Sequence, residues 1–435
     1  MRKLLFFLYF GLSVVFSTRA GAISIIRDTE AEAWLKTAVK QIFGAAGLDP
    51  DNAEVIIVND LSINAFVAGG QTIFVHTGLI LKTKTPDELM FVLSHETGHI
   101  VGGHITRGYQ ELKNAQTTAL ISTVIGGVLA VAGGRPDAGI AIMAGGQMSS
   151  MGLFTTYRQT EESSADRIAV EIMNKLGYSM KGFEGVMKTI KSEERLNSQS
   201  EYSYLRTHPL SQTRVAELER FVKNPKPLHQ DPSFDLMRAK LYGFLETPEK
   251  TLKHYQGNTL PDLYAQAIAS YRKNNFPKAF EILDKLLLKQ PNNPYFFELK
   301  GQLFFETGKL KESAQNYQKA FELKPDSDLV ALSYAQVLLE IGGSDNAQKA
   351  EKLLHFVVQE DIDSTFGWQL LAKSYHQQRK SLEADYAMVE YFRALGTPEG
   401  LEQAKKRAQK IKDSFPKKSI IYQRLQDILE VHKSL

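Results

Sequence analysis

His95-Glu96-Thr97-Gly98-His99 sets two histidines four residues apart, with a glutamate directly after the first. On a helix, positions i and i+4 lie about 40° apart around the axis, so both imidazoles can face one point. Such a pair can hold a divalent cation of the Zn²⁺ type, and Glu96 can take a proton from water at the same point. Zinc lowers the pKa of bound water toward about 7, which brings attack on a peptide carbonyl within reach at neutral pH. Two surface histidines on an ordinary amphipathic helix would carry the same spacing.

A hydrolytic zinc needs a third protein ligand and an open position. The chain has no cysteine, so that ligand must be His, Asp or Glu. His104 falls one residue short of a His-x-x-Gly-x-x-His spacing, with Ile105 standing where the ligand should be. A continuous helix turns His104 about 180° from His95. Only a break at Gly102-Gly103 could bring it back. Glu162, in Glu162-Ser163-Ser164-Ala165-Asp166, is the better candidate. Glu162 and Asp166 share a helix face, so one carboxylate can bind metal while the other accepts a hydrogen bond from a ligand imidazole. Glu161 is a rival standing off the Asp166 face, and a solvated acidic face is the bland alternative.

The elements that must position these residues are legible in part. Thr29 to Phe43 carries an apolar stripe at helical period, while Ala53 to Val58 and Thr72 to His76 read as strands. Thr85 as N-cap, Pro86 at the first helical position and Glu88 completing a capping box announce the helix that carries His95. The expectation is a small mixed sheet flanked by helices. Asn114 to Gly134 and Gly139 to Tyr157 are uncharged but interrupted by Gly pairs. They read as a helical hairpin packed on the catalytic domain, with peripheral membrane contact as the alternative.

From about Ser233 the texture becomes helix after helix, with an internal period. Pro291 and Pro325 are 34 residues apart, as are Ala267 and Gly301, while Ala335 and Ala372 are 37 apart. This segment resembles tetratricopeptide repeats (TPRs), where small residues let paired helices approach and proline ends the second helix. A generic helical bundle is the alternative.

Over nearly the whole length after the N-terminal leader, the chain resembles the gluzincin zinc peptidases related to HtpX and the prenyl proteases. Within them it is similar to a periplasmic branch that joins a signal peptide, a zinc peptidase domain and TPRs. The resemblance is carried by Asn64-Ala65-Phe66 with Gly69-Gly70, Gly78-Leu79-Ile80, the His95 to His99 motif, Glu162 to Arg167, and Thr207-His208-Pro209-Leu210 followed by Arg214. It implies His95, His99 and Glu162 as ligands of one Zn²⁺, Glu96 as general base and Asp166 as the carboxylate behind a ligand. It also implies that His208 lies near the metal, either stabilising an oxyanion or capping the open position, and that Arg214 orients carboxylates. Thr72, Ile73, Phe74 and Val75 are expected to form an edge strand that an extended substrate joins, with His76 as a strand residue.

Arg2-Lys3, the apolar run Leu4 to Phe16 and Ala20-Gly21-Ala22 read as a cleaved secretory signal, the apolar run being short of the roughly 20 residues that span a bilayer. The expected organisation is a signal over 1–22, an α+β zinc metallopeptidase domain over 23–228 and an all-α TPR solenoid over 229–435. Lack of cysteine excludes disulfides and thiolate ligands, and a net charge of +3 over 435 residues gives no footprint for nucleic acid. The expected function is a periplasmic endopeptidase acting on misfolded or stalled envelope proteins. Outer-membrane assembly components are the partners suggested for the repeats. The rival is a chaperone or assembly adaptor with a latent zinc site.

Overall fold

The structure, a computed structural model, describes residues 24–104, 159–196, 204–209, 211–222 and 226–431. The expected signal and the two uncharged stretches within 114–157 lie outside the described residues. Packing separates two compact units, with the seam at 274/275.

The N-terminal unit is built on a four-stranded sheet of β1 (Ile25–Ile26), β2 (Glu54–Val58), β3 (Ala65–Ala68) and β4 (Thr72–His76), in the order β1-β2-β4-β3. β2 and β4 run parallel, and the other two pairings are antiparallel. Thr72 to Val75 are therefore not an edge. They pair with Glu54 to Ile57 on one side and with Ala65 to Ala68 on the other. Ala65-Phe66-Val67-Ala68 is too short and alanine-rich to announce a strand, but Gly69 and Gly70, at φ 65° and 96°, fold it back onto β4. Among the described residues, the sheet ends on that side at β3, which is itself buried from Ala65 to Val67.

Helix α1 (Thr29–Ala46) starts at Asp28, whose carboxylate accepts from the Glu30 and Ala31 amides, and ends at Gly47 in the left-handed region. It buries Leu35, Ala38, Val39, Ile42 and Phe43. After the short α2 (Thr77–Lys82) comes α3 (Pro86–Val101), buried from Pro86 through His99. Thr85 Oγ1 accepts from the Glu88 amide at 3.4 Å, whereas the Glu88 carboxylate reaches past Thr85 to the Lys84 amide at 2.8 Å. The cap is as expected, and the reciprocal half of the box sits one residue earlier. Helices α4 (Gln159–Leu176) and α5 (Lys181–Leu196) pack on α3. Short α6 (Tyr204–Thr207) and α7 (Gln212–Val222) follow.

Past residue 228 come α8 (Pro232–Leu245), α9 (Pro248–His254) and α10 (Leu260–Arg272). They stay with the first unit. Phe234, Met237 and Leu241 join its core, and buried Lys240 pairs with Asp28 at 2.9 Å. Tyr264 donates to Glu30 at 3.1 Å and the Trp34 indole to Asp231 at 2.8 Å. Sequence texture changes where repeats begin, but the seam falls where contacts thin out. This places it 46 residues past the expected 228/229 boundary.

The second unit is a succession of α11 (Phe276–Lys289), α12 (Pro294–Glu306), α13 (Leu310–Leu323), α14 (Asp328–Ile341), α15 (Ser344–Glu360), α16 (Thr365–Gln377), α17 (Ser381–Ala394), α18 (Pro398–Ile411) and α19 (Ile420–Glu430). Each packs against the next, except that α14 also touches α16. Gly301 has a physical reason here. A Cβ at that position would stand 2.9 Å from the Tyr317 ring, so glycine lets α12 and α13 close on each other. Among the described residues, no helix is long and apolar enough to cross a membrane.

Candidate metal centre

Helices α3 and α4 meet at Gly98, where a Cβ would stand 2.7–2.8 Å from the backbone of Ala165. That close approach sets the ligand side chains within bonding reach of one another. His95 Nε2 lies 3.1 Å from His99 Nε2 and 3.4 Å from Glu162 Oε2, and His99 Nε2 lies 3.2 Å from Glu162 Oε1. Donors about 2.0–2.2 Å from a tetrahedral zinc stand roughly 3.3–3.6 Å apart, so this spacing suits one small divalent ion. His208, from the loop after α6, completes the group. Its Nδ1 is 3.3 Å from His95 Nε2 and 3.0 Å from Glu162 Oε1. One donor atom from each of the four residues lies within 4.8 Å of the others, and all four are buried.

The charge distribution makes the same point. Among the described residues, Glu96, Glu162 and Asp166 are buried beside a single guanidinium, that of Arg214. Carboxylates buried in excess are costly unless a cation compensates them. Burial alone would lower the His95 imidazole, but Glu162 and then Asp166 push it up to about 10. Burial raises Glu162, yet the imidazoles of His208 and His95 hold it far below the usual carboxylate range. His99 is lowered well below its ordinary value by burial. The donor set is N₃O with excess negative charge, and it fits zinc.

Glu96 is fully buried, and burial raises its carboxyl above the ordinary value. Neither of its oxygens makes a hydrogen bond among the described residues, and His208 Nε2 stands 3.4 Å from Oε1. A carboxylate of that kind, beside a metal-sized cluster, is placed to exchange a proton with a small ligand.

Arg214 ties the parts together. Its Nε and Nη2 donate to both oxygens of Asp166 at 2.7 and 2.9 Å. Nη1 lies 2.6 Å from Glu162 Oε2 and donates to the Pro209 carbonyl at 2.7 Å. Asp166 Oδ1 in turn lies 2.9 Å from His95 Nδ1. One guanidinium thus steadies a candidate ligand, the carboxylate behind another, and the loop bearing His208.

Glu161 lies outside this group. His76 stands at the end of β4, 2.9 Å from Ser62 Oγ, and takes no part either. Sequence reasoning missed Tyr204, a buried phenol stacked on His208 with ring centroids 4.6 Å apart. Tyr204 opens a four-residue helix and His208 follows its end, a spacing that carried no signal. His104 does not join the donor cluster. The chain does break at Gly103, with φ 63°, but the turned ring meets His99 Nδ1 at 2.8 Å, on the side away from the cluster.

Residues 29–222 match the model of Peptidase family M48. Residues 283–397 match the cytochrome c-type biogenesis protein H TPR domain. The chain is 27% identical over 329 residues to a beta-barrel assembly-enhancing protease of Yersinia pestis, covering 73% of this chain and 66% of that protein. The protein of the same name from Escherichia coli strain K12 is 21% identical over 365 residues, covering 81% of this chain and 74% of that one. A Vibrio cholerae protein, a putative beta-barrel assembly-enhancing protease, is 25% identical over 339 residues, covering 75% and 69%.

Proposed function

We propose, from the match of residues 29–222 to the model of Peptidase family M48, that the chain is a zinc-dependent endopeptidase of the bacterial envelope, resting in a capped state. The observation that carries the reading is the set of donor separations among His95, His99 and Glu162, 3.1 to 3.4 Å. Zinc held by these three residues would supply Lewis acidity, polarising a peptide carbonyl and acidifying water. Glu96 accepts the proton of the attacking water on a carboxylate oxygen and returns it to the leaving amine. Burial raises its carboxyl, which favours holding that proton between the two transfers. Asp166 fixes His95 through Nδ1, and Arg214 holds both carboxylates.

His208 acts as the cap. With Nδ1 against the three candidate ligands, His208 would block the water, so hydrolysis would require the loop that carries it to withdraw, after which the imidazole can donate to a developing oxyanion. Because Arg214 grips the Pro209 carbonyl, that movement is felt at Glu162 and Asp166. An extended polypeptide would add to β3, which packs on α3, rather than to the enclosed β4. The relatives' name suggests outer-membrane β-barrel proteins as substrates or clients, with the TPR unit engaging envelope partners. The signal-like N-terminus supports a periplasmic location.

The capped corner also favours a second reading, an assembly adaptor with a latent site. Glu96→Gln separates them. On the protease reading, the purified variant keeps stoichiometric zinc while cleavage of an unfolded β-barrel polypeptide falls about 10²–10⁴-fold. In cells the variant then fails to relieve envelope defects. Full cleavage by the variant would sink the base assignment, and full rescue by an inactive variant would favour the adaptor.

A further inference from the structure

His104 is fully enclosed in the N-terminal unit and has no part in the reaction described so far. Its Nδ1 stands 2.8 Å from His99 Nδ1, with the two rings 74° apart. Resting on the zinc reading, we infer that His104 is a positioning residue, which accepts the Nδ1–H of His99 and thereby fixes the tautomer of that ligand. Two nitrogens at this distance share one proton. His99 Nε2 faces His95 Nε2 and Glu162 Oε1, so Nε2 must carry the lone pair and the proton must sit on Nδ1. His104 Nδ1 is then the acceptor, and the proton of its own neutral ring sits on Nε2.

The local sequence is shaped for this contact. Gly103, at φ 63°, ends α3 with a left-handed residue and turns His104 back along the helix. Gly102 clears the space the returning ring fills: a Cβ there would stand 2.6 Å from His104 Cε1 and 2.8 Å from Cδ2. Both glycines of the pair are therefore needed, one for the turn and one for the ring. The two histidine ligands are supported differently. Asp166 brings a negative charge to His95, whereas His104 brings a neutral acceptor to His99 and adds nothing to the carboxylate excess.

The test is zinc affinity of the full chain by chelator competition, with thermal melting of the zinc-stripped protein as a check on folding. Loss of a group behind a ligand typically weakens metal binding about 10–100-fold, and His104→Leu should do so. His104→Asn places an amide oxygen where the histidine has Nδ1, and should recover most of that loss. Gly102→Ala is the independent arm. Gly102 has φ −67°, a helical value that alanine adopts readily, so melting should hold or rise while zinc binding weakens about tenfold as the new methyl displaces the ring. Equal affinity in His104→Leu, Gly102→Ala and the unaltered chain would overturn the inference. So would equal weakening by Leu and Asn, which would make the ring mere filling. If His104→Leu does not fold, Gly102→Ala decides. An unaltered chain that takes up no zinc defeats the metal reading itself, before any variant is compared.

Discussion

Each compact unit buries a cluster of opposite charges, and the two clusters are put together differently. In the C-terminal unit, Arg393 bonds Asp363 and Glu390, and Arg424 reaches the other oxygen of Glu390 at 2.8 Å. Two carboxylates meet two guanidiniums. In the N-terminal unit, three carboxylates meet one guanidinium and three imidazoles whose nitrogens converge on one point. Burying charge is tolerable only when the geometry compensates it. The repeat cluster is complete as protein and provides architecture, holding α17, α19 and the turn before α16 in register. The other cluster is complete only with a cation. Excess charge together with convergent lone pairs, rather than burial alone, distinguishes a site from a strut.

The sharpest way to break this contrast is to unbalance the strut. Glu390→Ala leaves Arg424 without its carboxylate and Arg393 with Asp363 alone, and removing one partner of a buried pair costs roughly 3–5 kcal/mol. The C-terminal unit should lose that much in denaturant unfolding, while zinc affinity stays unchanged. Burial raises the Glu390 carboxyl, but Arg424 and Arg393 together hold it below its ordinary 4.5. A lowered folded-state value means that its stabilisation is fully present above pH 4.5 and fades as acid carries the pH down through the folded value. Melting of the unaltered chain should therefore fall over that window more steeply than melting of Glu390→Gln. If the variant lost zinc binding instead, the division of labour between the clusters would fail.

A smaller effect asks whether the site depends on charge count or on geometry. Arg214→Lys keeps the positive charge but loses the fork that spans Asp166, Glu162 and the Pro209 carbonyl. The protein should fold, and zinc binding should weaken about 10–100-fold, the usual cost of disturbing groups behind a ligand. Wild-type affinity in Arg214→Lys would show that charge balance alone suffices.

How much of this was readable beforehand follows from whether each feature is local. His95, Glu96 and His99 are fixed relative to one another by helix geometry, as are Glu162 and Asp166, so their grouping could be reasoned from spacing. The two groups meet because Gly98 lets α3 reach Ala165, and nothing in the local pattern says that this glycine faces a second helix. Strand order failed for a related reason. Period and composition locate β4, but they do not say that the short run after Asn64 turns back to cover it. His104 depended on the backbone of Gly103, where a left-handed residue reverses the direction a continuous helix would give. The repeat unit was more legible, because a 34-residue period relates Gly301 to a counterpart at Ala267 and so exposes a packing rule.

The smallest effect belongs to a carboxylate that resembles both clusters on paper. Glu281 pairs with Lys278 at 3.0 Å and Lys285 at 2.7 Å, and the two lysines pull its carboxyl down to about 2. That is a lowered value, like that of Glu390, yet Glu281 lies on the open face of α11 and both lysines are exposed. Water and salt compete for all three groups, so the pair has little to contribute to folding. Glu281→Gln should leave the melting temperature where it was. Carboxyl titration by NMR should find the unaltered Glu281 low in dilute buffer and climbing back toward 4.5 in molar salt. A clear loss of stability in Glu281→Gln would mean that a lowered pKa is itself a measure of stabilisation, and the distinction between exposed pairs and buried clusters would need another basis.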